Sequence, residues 1–164
     1  MTVTALDIAI KTGLALSNGE SGVRDFSAFA LDEPRLFHEF HRWLSRGLKD
    51  WKTETLVIEA PFLAKRPGIL ALIGLNAIAR MAAHENGLRP ISVAPATWRK
   101  SVLGIGNLKR KDAKRRALNH VGPAVTDDNQ AEAICILEWY MHRKDVPVGL
   151  IKSRHREFTL PEAV

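Results

Sequence analysis

The chain has one cysteine, Cys135, among its 164 residues. An internal disulfide is therefore excluded, and a reducing, cytoplasmic setting is the expectation. Cys135 stands between Ile134 and Ile136, the surroundings of an inert core thiol. No apolar stretch approaches the roughly 18 residues of a membrane span, so no membrane partner is expected. Asp7 and Lys11 interrupt the N-terminal apolar run and exclude a signal-peptide reading. Histidines are scattered. His38 and His41 are the only close pair and lack a companion cysteine, so a zinc site finds no support. Internal repeats and low-complexity tracts are lacking too. The sharpest local shortage is of negative charge. From Arg99 to Arg116 eight basic residues stand against Asp112 alone, a net +7 in a chain whose total is +6. Ordinary solvated helix faces mix signs; this one hardly does, which points to a polyanionic partner.

What is present suffices for one domain. Hydrophobic residues make up 46% of the chain, enough for a normal core. Residues 2–10 read as a first strand, almost wholly apolar or β-branched and so covered on both faces. Lys11-Thr12-Gly13 reads as a tight connection, and residues 14–16 as a short second strand. Asn18-Gly19 is a hairpin signal, and residues 23–30 form the third strand of an antiparallel meander. Asp32 caps a helix over 34–49, with Leu36, Phe37, Phe40, Trp43, Leu44 and Leu48 as its buried stripe. Residues 55–59 form a central fourth strand, parallel to the first because a helix joins them. A loop over 61–68 leads to an apolar helix over 69–86 that ends at Gly87. A short strand over 90–93 and a short helix over 95–102 follow. The turn Gly104-Ile105-Gly106 opens a basic helix over 109–120. The last helix runs over 127–143, with Asp127 and Gln130 as a capping box. The pattern predicts an α/β fold: a mixed five-stranded sheet with helices on both faces. Residues 1–144 make the domain. Residues 145–164 are read as a basic C-terminal tail or partner-contacting arm.

Acidic residues interrupt this pattern at three places. Asp7 breaks the first strand, and an unpaired buried carboxylate is costly. Glu59 ends the apolar run Leu56-Val57-Ile58. Asp127, Asp128 and Glu132 open the last helix, where Asp128 and Glu132 are four apart and share a face. Each has an ordinary explanation: an arginine partner for Asp7, solvent for Glu59, an N-cap role for Asp127, the helix dipole for Asp128, a capping contact for Glu132. Together, on two adjacent strands and a helix start, they suit a hard divalent cation such as Mg²⁺. Two such ions about 4 Å apart can drive phosphodiester hydrolysis. The neighbouring basic stripe would hold nucleic acid.

Four segments carry a family resemblance. They are Asp7 with Thr12-Gly13; Ile58-Glu59-Ala60-Pro61-Phe62-Leu63-Ala64-Lys65; Val102-Leu103-Gly104-Ile105-Gly106 before the lysines; and Asp128-Asn129-Gln130-Ala131-Glu132-Ala133. In that order they resemble the RuvC-type Holliday-junction resolvases of the RNase H-like superfamily, the phage-encoded branch above all. The resemblance implies an RNase H-like fold and a homodimer that binds four-way DNA junctions. It also implies symmetric cleavage with Mg²⁺ or Mn²⁺, two ions per site. By position, Asp7, Glu59 and Glu132 would be catalytic metal ligands; the fourth stays open among Asp127, Asp128 and Asn129, with Asp128 favoured because a carboxylate binds Mg²⁺ better than an amide and still shares a face with Glu132. Two departures stand out. Glu132 falls where the family has Asp, and Asn129 falls where it has Asp or His, which turns attention to the adjacent Asp128. Phe62 matches an aromatic that stacks on an unpaired base. Lys65, Arg66, Arg99, Lys109, Arg110, Lys111 and Lys114 would contact DNA phosphates. Leu72, Leu75, Ala79 and Ala82 would line the dimer helix, or else the monomer core. Two other readings stay open: an RNase H-like nuclease acting on RNA or on branched or flap DNA, and a catalytically degenerate DNA-binding module.

Overall fold

The computed structural model describes residues 1–61 and 68–143 and the strand at 156–157. Strands β1 (Val3–Asp7), β2 (Lys11–Leu16) and β3 (Glu20–Asp25) form an antiparallel meander. β4 (Thr55–Glu59) pairs in parallel with β1, and β5 (Ile91–Val93) in parallel with β4. The order β5-β4-β1-β2-β3 is the mixed sheet expected from the sequence. One short strand is added to it. β6 (Arg156–Glu157), from the segment read as a tail, pairs in parallel with the outer edge of β3. An edge strand offers unpaired backbone groups that such a segment can take up. The rest of that tail lies outside the described residues.

Alternation along the strands splits the core in two. Leu6, Leu14, Leu16, Leu56 and Ile58 face α1 (Glu33–Asp50) and α2 (Ile69–Glu85). Val3, Ala5, Ala15 and Val57 face the other layer, made of α3 (Pro95–Leu103), α4 (Arg110–Val121) and α5 (Asp128–Arg143). Both faces are covered, which is why these strands read as unbroken apolar runs. Helix α1 is capped as expected, the Asp32 side chain accepting from the Arg35 N–H at 3.2 Å.

Local differences from the sequence expectation have physical causes. β1 stops at Asp7, so this residue ends the strand instead of interrupting its middle. Thr12 and Gly13 lie inside β2, and the bend sits at residues 8–10. The Thr12 hydroxyl closes that bend by donating to the Ala9 carbonyl at 2.6 Å. β3 ends at Asp25 because Phe26 turns into the core and Ser27–Phe29 coils into a 3-10 turn. The capping box at α5 is half made. Asp127 accepts from the Asn129 and Gln130 N–H groups at 2.8 and 3.1 Å, but the Gln130 side chain donates to Ser21 Oγ. In α2, Leu75, Ala79 and Ala82 are fully buried in the core beside α1 and are not free for contact with another subunit. The exposed apolar side chains of that helix are instead Leu70, Ile73 and Met81.

Candidate active site

Asp7 and Glu59 are the last residues of two adjacent parallel strands, so both stand at the same end of the sheet. The third acid arrives through a close approach. Gly13 pairs with Asp7 across β1 and β2. A Cβ on Gly13 would fall 1.9 Å from the Asn129 carbonyl oxygen, so the first turn of α5 rests directly on β2 backbone. One turn further along, α5 delivers Glu132, 3% exposed, beside Asp7, 7% exposed. Asp7, Glu59 and Glu132 line one cavity of about 450 Å³, with Arg99, Lys109 and Arg110 on its wall.

Burial governs the protonation of these acids. The Asp7 carboxyl is raised well above the usual carboxylate range by burial first, then by the Glu59 charge and their mutual hydrogen bond. Lys114 and Arg110 pull it partly back. Glu59 is also raised, by burial and then the Glu132 charge, and is moderated by Arg99. Glu132 is pushed up to about 7, by burial and then the Asp7 charge. Crowded carboxyls that hold protons lack positive charge.

Arg99 supplies part of it. Its Nη2 lies 3.2 Å from Glu132 Oε1 and 3.6 Å from Glu59 Oε1. The expectation placed Arg99 on DNA phosphates; its side chain is directed inward. Lys114 likewise turns to α5, pairing with Asp128 at 2.8 Å and donating to Asn129 Oδ1 at 3.2 Å. Asp128 is thus held by Lys114 and does not line the cavity. Lys109 and Arg110 are exposed along the cavity wall, and Lys111 is exposed next to them. Gly104, with φ +81°, ends α3, and Gly106 packs on the Ala96 carbonyl, so the turn delivers these residues to the site. Phe62, Lys65 and Arg66 lie outside the described residues.

Two further residues shape the site and were not singled out from the sequence. Trp98, fully buried, donates its indole N–H to Glu59 Oε1 at 3.4 Å. Asn76, buried in α2, donates to the Glu59 carbonyl at 3.0 Å. An amide in the apolar first half of α2 was a legible signal for Asn76; nothing local marked Trp98.

Among the described residues no three His, Cys, Asp or Glu side chains form a ready-made ligand cage. The donor chemistry nevertheless fits Mg²⁺ or Mn²⁺. Three oxygen-donor side chains meet in a partly desolvated cavity, and their protons are what a cation would displace.

No family model and no curated protein matches the chain. Solved structures do match. Thermus thermophilus RuvC superimposes with a TM-score of 0.65 at 15% identity, covering 88% of this chain and 97% of that one. T. thermophilus RuvC in complex with Holliday junction substrate superimposes with a TM-score of 0.69 at 16% identity, with the same coverage. This chain therefore has the RuvC-type, RNase H-like fold.

Proposed function

We propose that the chain is a metal-dependent DNA endonuclease that resolves four-way junctions by symmetric phosphodiester hydrolysis. The observation that carries this reading is the convergence of Asp7, Glu59 and Glu132 on one cavity walled by Lys109 and Arg110. The fold is shared with a RuvC seen on a Holliday junction substrate.

Asp7, Glu59 and Glu132 would hold Mg²⁺ or Mn²⁺, and Asp128 joins them only when Lys114 releases it. The bound metal would supply an activated water and stabilise the leaving oxygen. Lys109, Arg110 and Lys111 hold phosphates and so position the strand without reading its sequence. Trp98 and Asn76 fix Glu59, one at its carboxylate and one at its backbone. Phe62 stacks on an unpaired base, and Lys65 and Arg66 meet the adjoining backbone. Two copies paired through the exposed Leu70, Ile73 and Met81 stripe provide one site for each nick.

The test is cleavage of a labelled mobile four-way junction in Mg²⁺ and in Mn²⁺, beside duplex, flap, RNA and single-stranded controls. Paired symmetric nicks on the junction alone are expected. Cutting of flaps or RNA with equal ease would instead make it a broader RNase H-like nuclease. A catalytically degenerate binding module has specific observations in its favour: Asp128 is tied to Lys114, and position 129 is an amide. Tight junction binding without cleavage would decide for that reading.

A further inference from the structure

Arg99 is bound to the acidic site in an unusual way. Its side chain is 14% exposed and touches Glu132 and Glu59 through the same terminal nitrogen, Nη2. Its Nε is buried and has no hydrogen-bond partner among the described residues. A guanidinium built as a permanent strut grips a carboxylate with two parallel N–H bonds. Arg99 does not, and a buried donor left unpaired is costly. Its charge holds it there, backed by the Trp98 ring, whose centroid lies 5.2 Å from Cζ. The two carboxylates it bridges are those assigned above to the metal. A guanidinium and a divalent cation on the same two carboxylates repel each other and so compete for them.

We propose that Arg99 is a built-in counter-cation that occupies the Glu59–Glu132 side of the cavity and must leave it for a divalent cation to bind there. The inference rests on the nuclease reading and gives that site a metal-affinity control. The released guanidinium faces the cavity that Lys109 and Arg110 also line, where a phosphodiester can accept it. Metal and DNA then favour each other's binding, by reciprocal linkage.

The test uses the full chain without DNA. Mn²⁺ affinity is measured by electron paramagnetic resonance for the unaltered protein and for Arg99→Met. The variant is expected to bind Mn²⁺ at least ~10-fold more tightly, as removal of a competing cation requires. It should melt at a lower temperature without metal, the gap narrowing when Mn²⁺ is added. In the unaltered protein the Arg99 Nε–H signal, followed by ¹⁵N NMR, should shift and saturate as Mg²⁺ is titrated in. Equal or weaker Mn²⁺ binding by the variant overturns the inference alone. Binding of Mn²⁺ by neither protein overturns it together with the nuclease reading. If Arg99→Met does not fold, the NMR titration decides, and an Arg99 signal unmoved at saturating Mg²⁺ overturns the inference.

Discussion

Asp7 and Glu59 carry most of the chemical argument at the scale of single residues. Asp7→Asn and Glu59→Gln are expected to abolish junction cleavage while retaining binding, since neither substitution removes a basic residue. Full activity in either, measured on the labelled junction, would remove the carboxylates from the metal site. Glu132 makes a pH prediction. Its folded pKa of about 7 lies above its usual value of 4.5. The native state therefore keeps a proton that the unfolded chain has lost, and stability falls as pH rises between those values. Metal-free protein in a chelator should melt a few degrees higher at about pH 6 than at about pH 8. Saturating Mg²⁺ should shrink the difference, because the cation then replaces the proton. A melting temperature that rises with pH in the chelator would contradict the burial of Glu132.

Elements matter through where they touch. Gly13 lets the first turn of α5 lie against β2, and its neighbour is backbone carbonyl, which has no rotamer to move away. Gly13→Ala should destabilise the fold by about 1–3 kcal/mol, as overpacking does, and move Glu132 out of register with Asp7. Chemical denaturation and the cleavage assay check both parts; wild-type values in both would refute the close contact. The basic turn and α4 act on the partner. Lys109→Ala combined with Lys111→Ala should reduce the slope of log affinity against log salt by about 1–2 for junction DNA. An unchanged slope would remove these residues from the phosphate contacts. The elements themselves were largely legible. The α1 stripe and the Asp32 cap stood in plain spacing, as did the parallel pairing of β1 with β4. The extent of β2 did not. Lys11-Thr12-Gly13 looks like a turn because Gly13 suggests backbone freedom, whereas its role is to leave room for α5.

At the scale of the whole molecule, the symmetric cutting proposed above needs two sites. Of Leu72, Leu75, Ala79 and Ala82, which suit either the contact between copies or the monomer core, the last three are buried in the core. The exposed Leu70, Ile73 and Met81 are the candidates that remain on α2. Ile73→Glu with Met81→Glu should convert a dimer to a monomer in light scattering and abolish paired nicking, with the monomer still folded. A dimer that survives the double substitution would place the interface elsewhere. Periodicity alone shows that an α2 residue is apolar, and an almost uniformly apolar helix does not reveal which side meets its own core.

The sequence by itself determined the element order apart from β6, the central position of β1 and β4, the basic segment and the three acids of the site. Those features are written in local spacing and in the cost of a carboxylate within an apolar run. The tertiary structure alone decided which acids meet. It turned Arg99 and Lys114 inward and tied Asp128 to Lys114. It also set Trp98 and Asn76 behind Glu59. Charge pairing in a buried site depends on distances across elements far apart in the chain, and no local pattern encodes those distances.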